Sequence, residues 1–378
     1  MGSEGTARRP FCHRCSKPAR TCLCDRLNSP PLDNSIAVTI LQHSLEKTHP
    51  LNSARVARLG LKNFSVNSVT DVVFRAQFLI HPLEPSQDHI FSHVAGNRNE
   101  ILVLDERLGF SSRTSGICLN SDASTPNTSA IDQFQSDRSR SCSIIPESEK
   151  KSNLSQSISS VSNGYNQIRC TAIDDEVTRS FTKHTVTYSS KYIFVAMERT
   201  AKPDIGWILN YPVGRAAVSN GFMVKKLQRK KKLQNSEEFE DFEEYNLLIP
   251  QGSVLLFPSS SAVELTELDH EVKHLIVLDG TWAKARRMYY ENPWLKLLPH
   301  LKLNQRKESL YSEVRHQPKA GFLSTIESIV CALKGLGNDM EGLDELLEVF
   351  ESMIRDQRRC KDEKFKAVAR GVMDDDDS

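Results

Sequence analysis

The stretch HLIVLDGTW, residues 274–282, joins a continuous apolar run to a polar turn. A run without alternation is typical of a strand in a sheet that is buried on both faces. Gly280 allows a tight turn after that strand, and the hydroxyl of Thr281 is able to cap a following helix. The stretch therefore predicts a strand, a turn and a helix, as expected of an α/β fold with a mostly parallel sheet.

Two other apolar runs, 36–41 and 254–257, are also followed by polar residues, at Gln42 and at Ser259. Ligands of open α/β sheets lie beyond the carboxyl ends of the strands. We therefore expect these residues and Asp279 to lie near one site.

Helices are predicted between and after these strands. One covers residues 53–59, and a last amphipathic helix covers 343–359. Ser324 and Glu327 have the spacing of a capping box before an apolar helical segment. Strands that alternate with helices in this way favour a parallel sheet.

The turn after residue 278 offers chemistry as well as structure. The carboxylate of Asp279 is placed to accept a proton or to bind a ligand amine. The ring of Trp282 is suited to stacking on a nucleobase or an adenine. Each residue also has a structural explanation, since Asp-Gly is an ordinary turn and a Trp often lies in the core. The residues alone leave both interpretations open.

Four of the nine cysteines lie within 13 residues, at Cys12, Cys15, Cys22 and Cys24. Zinc binds four thiolates in a tetrahedron, and two close pairs of cysteines are able to supply them. With no secretory signal predicted, this clustering favours a metal over disulfides. A site with four thiolates has no open position for water, so we predict a structural zinc module over residues 10–30, serving folding or RNA docking.

Composition restricts the classes of function. The chain has 378 residues, of which 39% are hydrophobic, enough for one or two packed domains. Its 49 basic and 48 acidic residues give a net charge of +1, so total charge does not indicate a nucleic-acid partner. Setting aside the acidic runs 237–244 and 374–377 leaves a mildly basic remainder, which permits RNA binding.

Hydropathy predicts no association with a membrane. No apolar run approaches the roughly 20 residues that span a bilayer. The first 11 residues contain no apolar segment of the kind found in secretory signals. We therefore expect an intracellular location, cytoplasmic or nuclear.

Three segments interrupt the apolar pattern. Residues 111–162 include 17 serines and few large apolar groups, which predicts a disordered insertion, assigned to 106–190. Residues 225–246 join a basic block to an acidic block, which predicts a solvated charged insertion. Residues 361–378 are predicted to be an acidic tail.

Several motifs occur in one order along nearly the whole chain outside the two insertions. They are the cysteine cluster, Gln42-His43, HPLNSAR at 49–55, LFPS at 256–259, LDGTW at 278–282, YSEVRHQP at 311–318 and LSTIE at 323–327. Each motif is weak alone, but the ordered set resembles the DTW-domain family of tRNA-uridine aminocarboxypropyltransferases. By this resemblance the DTW domain comprises an N-terminal half, 31–105, and a C-terminal half, 191–360, which holds the cofactor site.

The resemblance implies a fold and a reaction. The family is similar to the SPOUT class, whose α/β domain carries a C-terminal trefoil knot and binds S-adenosylmethionine. The implied reaction transfers the 3-amino-3-carboxypropyl group of that co-substrate to N3 of a D-loop uridine in tRNA, giving acp3U and 5′-methylthioadenosine.

The resemblance and the residue types together imply roles. The expected catalytic residues are Asp279, as general base, with Thr281 and Trp282. The expected cofactor-binding residues are Leu256, Pro258, Ser259, Asp279, Gly280, Ser324 and Thr325. The expected tRNA contacts are Arg55, Arg286, Arg287 and Arg315, because arginine binds phosphate and carboxylate groups well. The expected zinc ligands are Cys12, Cys15, Cys22 and Cys24.

Two other functions remain open at this stage. One is a SPOUT-type RNA methyltransferase that uses the same co-substrate, and the other is a zinc-containing RNA-binding protein without catalysis. The sequence does not predict the oligomeric state or the tRNA nucleotide.

Overall fold

The structure is a computed structural model, and it describes residues 10–84, 172–173, 176–232, 237–304, 309–311, 322–337 and 341–374. These residues belong to one compact unit, Met1–Ala95 with Gly164–Ser378. Arg315 and residues 106–171, 174 and 175 of the predicted insertion lie outside the described residues.

The described chain alternates strands and helices. The strands are β1 Phe11–Cys12, β2 Lys17–Pro18, β3 Ala37–His43, β4 Phe64–Val69, β5 Arg75–Pro82, β6 Ala172–Ile173, β7 Glu176–Ser180, β8 His184–Tyr188, β9 Ile193–Glu198, β10 Gly221–Lys231, β11 Phe239–Pro250, β12 Ser253–Leu256, β13 Val263–Glu264, β14 His274–Asp279 and β15 His300–Lys302. The α-helices are α1 Ala54–Gly60, α2 Pro212–Asn220, α3 Trp282–Glu291, α4 Thr325–Gly335 and α5 Leu343–Asp374. Short 3-10 helices cover Ala19–Thr21, Cys24–Arg26, Ser44–Glu46, Gly206–Asn210, Leu265–Glu267 and Pro293–Leu297.

A six-stranded sheet confirms the predicted parallel arrangement. Its order is β13-β15-β12-β14-β3-β4, and every neighbouring pair in it is parallel. All six residues of β14 are buried. Leu275 and Val277 enter one hydrophobic core, packed with α1, α4 and α5, whereas Ile276 and Leu278 enter the other. Burial on both faces explains why this strand reads as a continuous apolar run.

A second sheet was not predicted. It has seven antiparallel strands in the order β11-β10-β5-β9-β8-β7-β6. Strands β7 and β8 lie at 176–188, so the prediction of a disordered insertion over 106–190 is wrong for this part. Val186 and Tyr188 are buried in the core on this sheet, which supplies the apolar burial that the serine-rich stretch before them lacks.

Residues 225–246 are also corrected, from a solvated insertion to the long hairpin β10–β11. Lys225, Lys226 and Leu227 alternate between the two faces of the sheet, and the middle one is fully buried. The basic and acidic blocks face each other across the hairpin. Ion pairs join Lys225 to Glu243, Arg229 to Asp241 and Lys230 to Glu240 at 2.6, 2.9 and 3.0 Å. Opposite charges on paired strands stabilise the pairing, so the two blocks are complementary strand faces.

The predicted helices are present as α1, α3, α4 and α5, whereas α2 was not predicted and α5 ends later than expected. Thr281 and Ser324 cap α3 and α4 as expected. Helix α5 continues to Asp374, beyond the predicted end at 359, so residues 361–374 are helical rather than an acidic tail. This extension has three Lys, two Ala and one each of Glu, Arg and Met, which favour helix, and contains no proline. Among the described residues, no helix is both long and apolar enough to cross a membrane.

Candidate active site and metal centre

A cavity of about 540 Å³ lies at the carboxyl ends of the parallel strands. Its walls come from the ends of β12 and β14, from the segment between β3 and α1, and from the start of α4. The polar lining residues are Glu46, Asn52, Ser53, Asp279, Thr281, Lys302, Tyr311, Ser324, Thr325 and Ser328. The apolar and aromatic lining includes Leu51, Leu256, Phe257, Pro258, Val277, Leu278, Trp282, Leu301, Leu303, Phe322 and Leu323. The cavity thus has the mixed lining of small-molecule sites, which typically measure about 300–1,000 Å³.

The carboxylate of Asp279 is held by two donors. Asp279 ends β14, and its partner in the register of β3 is Gln42. The side-chain amide of Gln42 donates to Oδ2 at 2.8 Å, and the hydroxyl of Thr325 donates to Oδ1 at 2.5 Å. The residue is only 7% exposed. Donors from β3 and α4 therefore fix the carboxylate in one orientation at the cavity wall.

The turn after Asp279 needs a glycine because its neighbours are close. A Cβ at Gly280 would lie 3.1 Å from the Cβ of Lys284 and 3.6 Å from that of His43. The hydroxyl of Thr281 accepts from the amide of Lys284 at 3.3 Å and so caps α3. The ammonium of Lys284 pairs with the buried carboxylate of Glu46 at 3.0 Å. This contact ties α3 to the segment after β3.

Trp282 lies at the start of α3, between the core and solvent. Its ring packs on Phe322, with centroids 4.1 Å apart and planes inclined by 32°. Both rings line the cavity. The structure therefore places an aromatic wall beside Asp279 and not a core tryptophan.

The predicted capping box positions the start of α4, which forms part of the cavity wall. Glu327 accepts from the backbone N–H of Ser324 at 2.8 Å, and the Ser324 hydroxyl accepts in return from the Glu327 amide. Glu327 also accepts from the hydroxyl of Ser309 at 2.5 Å and from the amide of Leu310 at 2.8 Å. These contacts fix the first turn of α4, and with it Thr325.

Sequence reasoning assigned no role to six polar residues that line this cavity, namely Glu46, Asn52, Ser53, Lys302, Tyr311 and Ser328. The carboxamide of Asn52 donates to the carbonyl of Glu46 and accepts from the amide of Ala54, so it shapes the loop before α1. Asn52 and Ser53 belong to the HPLNSAR motif, which was the available signal.

One expected cofactor contact is not at the cavity. Ser259 is not among its lining residues, and its hydroxyl lies 2.6 Å from Nδ1 of His300. Nε2 of His300 is 2.8 Å from the carbonyl of Leu295, so Nε2 carries the proton and Ser259 donates to Nδ1. Burial lowers the pKa of His300. Ser259 thus holds the loop after β12 in place.

The expected tRNA contacts are dispersed. Arg286 is exposed, and Arg287 donates to Asp71 at 2.7 Å. His43 also bonds to Asp71, at 3.1 Å. Burial raises the pKa of Asp71, but the bonds from His43 and Arg287 outweigh it and hold that pKa below its usual value. Arg55 is buried, donates to the carbonyl of Lys47 at 3.1 Å, and lines a different cavity.

The cysteine cluster has the geometry of a metal site. The hairpin β1–β2 and the two 3-10 helices after it bring the four sulphurs within 4.8 Å of one another. Sγ of Cys12 is 3.7 Å from that of Cys24, and Sγ of Cys15 is 3.6 Å from that of Cys22. Tetrahedral bonds of about 2.3 Å to zinc would set sulphurs about 3.8 Å apart. The four cysteines are therefore able to hold a metal ion as they stand.

Comparison with known proteins bears on this geometry. The sequence profile of the DTW domain matches residues 9–162 and 197–358. This chain belongs to the DTW domain family. The match includes the cysteine cluster and every described residue of the cavity wall, so both sites lie within the DTW domain.

Curated DTW relatives are similar over a shorter stretch. The chain is 34% identical over 107 residues to tRNA-uridine aminocarboxypropyltransferase 2 of Drosophila melanogaster, covering 28% of this chain and 42% of that protein. The proteins of the same name in Macaca fascicularis and Mus musculus are 33% and 34% identical, over 27% and 26% of this chain and 35% and 34% of their own lengths. The chain thus matches less than half of each relative. No solved structure matches it.

Proposed function

We propose that this protein is a tRNA-uridine aminocarboxypropyltransferase that acts on S-adenosylmethionine and a D-loop uridine. The observation that carries the proposal is Asp279, held by two donors at the wall of a cavity with an aromatic side. The names of the curated DTW relatives supply the class of reaction and the tRNA substrate. The location follows that substrate, and we place the protein inside the cell.

The reaction balances with one base. The bond from uridine N3 to the γ-carbon of the aminocarboxypropyl group forms, the bond from that carbon to sulphur breaks, and its electron pair neutralises the sulphonium. The imide proton of N3 must leave, and the carboxylate of Asp279 is placed to take it. S-adenosylmethionine supplies an activated leaving group, so the protein mainly provides orientation.

The lining residues fit these reactants. The Trp282–Phe322 rings offer a stacking surface for adenine or uracil. The carboxylate of Asp279 favours a cationic group, and the hydroxyls of Thr281 and Ser324, which accept from backbone amides, keep their protons to donate to a carboxylate. Leu256, Pro258 and Gly280 line the cavity beside them. These residues would hold the co-substrate with its γ-carbon, rather than its methyl group, towards the nucleophile.

We extend the proposal to the metal and the chain path. Zinc is the ion that four thiolates in this geometry bind best, with a structural role. A SPOUT-like trefoil knot is proposed for the parallel sheet. Its support is the strand order, because β14 lies between β3 and β12 although it follows both in the chain.

The test is a transfer assay with unmodified tRNA and S-adenosylmethionine that is labelled either on the methyl group or on the carboxyl carbon. Label from the carboxyl carbon alone should enter RNA. Asp279→Asn should reduce that transfer by about 10²–10⁴-fold, as loss of a general base does. Asp269→Asn, at a carboxylate that is 97% exposed, is the matched control and should transfer at the normal rate.

The alternatives predict other results. Entry of the methyl label would make the protein an RNA methyltransferase and overturn the proposal. A folded, zinc-loaded protein that binds tRNA but transfers neither label would be an RNA-binding protein without catalysis. If Asp279→Asn transfers the group at the normal rate, Asp279 is not the general base, although the proposed reaction stands.

A further inference from the structure

A second cavity, of about 840 Å³, lies against the cysteine head. Its walls come from the head, from the middle of α5 at residues 356–360, and from residues 47–55. The neighbouring residues Glu46 and 51–53 line the first cavity. The segment 46–55 therefore contributes different residues to each cavity.

The second cavity has an excess of positive charge. Its lining includes Lys17, Arg20, Lys47 and Arg55. Lys17 and Arg55 converge on one acceptor, the carbonyl of Pro50, at 3.1 and 3.5 Å. Within the described part of the chain, neither forms an ion pair with a carboxylate.

The single carboxylate among the described lining residues is already engaged. Asp356 accepts from Arg26 at 2.5 Å and from Arg359 at 2.9 Å. Arg20 donates to Sγ of Cys360 at 3.4 Å and pairs with Glu363 at 3.8 Å, and its side chain is 63% exposed. The described lining thus carries four cations against this one carboxylate, and that excess suits an anionic ligand.

The wall beside these cations is apolar. Phe11 is 55% exposed, which is unusual for a large hydrophobic residue, and Pro10, Pro18 and Ala19 lie next to it. A small anion gains nothing from such a surface. A single RNA strand offers both a phosphate for the cations and a base for the ring, and base–aromatic stacking tolerates any base.

We propose that this cavity binds a single-stranded segment of the RNA substrate outside the reacting nucleotide. The phosphates lie against Arg20 and Lys47, and one base stacks on Phe11. The inference rests on the proposed function, because the shared segment 46–55 places this strand beside the catalytic cavity. Contacts of this kind position RNA without reading its sequence.

The choice of test residues separates RNA binding from metal binding. Lys17 and Arg55 are close enough to Cys15 to interact with its thiolate charge, so they also offset the negative charge of the thiolate cluster. Arg20 and Lys47 are exposed, and the double substitution Arg20→Glu with Lys47→Glu changes the exposed surface of this cavity while keeping Lys17 and Arg55. The matched control is Lys191→Glu with Lys273→Glu, at exposed positions in the β8–β9 turn and before β14.

The measurement is filter binding of unmodified tRNA to the full, zinc-loaded chain over a range of salt concentrations. The Arg20→Glu/Lys47→Glu variant should bind at least about tenfold more weakly, and its salt slope should fall by about 1–2, as two lost phosphate contacts require. Phe11→Ala should weaken binding about tenfold with an unchanged salt slope. Zinc content and S-adenosylmethionine affinity should equal those of the wild type, and the control variant should bind tRNA normally.

Other outcomes overturn the inference in distinguishable ways. If the Arg20→Glu/Lys47→Glu variant binds tRNA like the wild type while the wild type transfers the group, this inference fails and the proposed function stands. If the variant loses binding to a polyglutamate peptide but not to tRNA, the cavity serves an acidic protein segment instead. A wild-type protein that neither binds tRNA nor transfers would remove both proposals.

Discussion

The two sheets bury polar groups in opposite ways. The antiparallel sheet encloses a charged pair, since Lys226 is fully buried and meets Glu244 at 2.7 Å. The parallel sheet encloses a neutral group in its interior, His274, between the hydroxyls of Thr39 and Ser253 at 2.7 and 2.9 Å. Its buried carboxylate, Asp279, stands at the end of β14, where the strand meets the cavity. The buried charges of the antiparallel sheet thus pair with each other, whereas the buried carboxylate of the parallel sheet lines the first cavity.

The largest expected effect tests the charged pair. Burial lowers the pKa of Lys226, and Glu244 opposes that shift. Lys226→Met leaves Glu244 buried without its cation, so the free energy of unfolding should fall by about 3–5 kcal/mol. Urea denaturation measures the change, and transfer per folded molecule should stay the same.

Two further variants complete this test. Lys225→Met, at the next position of β10, removes an exposed pair with Glu243 and should cost at most about 1 kcal/mol. Lys226→Met with Glu244→Gln should recover part of the loss, because no unpaired charge remains. If Lys226→Met loses more transfer activity than folded protein, the charged pair of the antiparallel sheet affects the reaction, and the contrast between the two sheets fails.

The second effect concerns acid stability of the parallel sheet. Burial lowers the pKa of His274 from 6.5 to about 4. Between those values the unfolded chain binds a proton that the folded chain does not, so stability is complete above pH 6.5 and is lost as pH falls towards 4. The loss at acid pH should reach about 3 kcal/mol.

Denaturation of His274→Gln across this range measures that contribution. The variant should lose less stability than the wild type between pH 6.5 and 4. His270→Gln, four residues earlier and exposed, is the control and should follow the wild type. Parallel curves for His274→Gln and the wild type would contradict a neutral histidine in this sheet.

The smallest effect concerns the strand end itself. Thr325→Val removes the donor to Oδ1 of Asp279 and keeps the bond from Gln42 to Oδ2. A bond to a charged group is worth about 1.5–3 kcal/mol, so kcat should fall by about 10–100-fold with little change in stability. Thr325→Ser should restore the rate, because it restores the hydroxyl. A Thr325→Ser variant as slow as Thr325→Val would show that shape, rather than the hydrogen bond, matters here.

Prediction from sequence succeeded where local pattern and contact agree. The apolar run of β14, the Thr281 cap and the Ser324–Glu327 box each lie within a few residues, and their physical causes are local. The cysteine cluster is local too, since its ligands span 13 residues. These features gave the parallel sheet, two helix starts and the metal site.

The failures came from contacts between distant residues. The basic and acidic blocks of residues 225–246 follow one another in the sequence, which predicts a solvated insertion. In the structure they form ion pairs across the two strands of a hairpin. Glu46 lines the cavity and forms an ion pair with Lys284, which lies 238 residues later in the chain. Arg55, predicted to contact tRNA, lines the second cavity, and its contact with tRNA stays a prediction. No pattern within a short stretch of sequence predicts contacts between residues this far apart in the chain.

The register of Gln42 against Asp279 sets an order of events during synthesis. The two residues are 237 positions apart, and a ribosome adds about 5–20 residues per second, so the first half of the catalytic cavity waits roughly tens of seconds for the second. The four thiolates of the head emerge together and are able to capture their ion early. The cysteine cluster is therefore able to bind a metal ion while the chain is still being synthesised. The first cavity lacks part of its wall until α4 has been made.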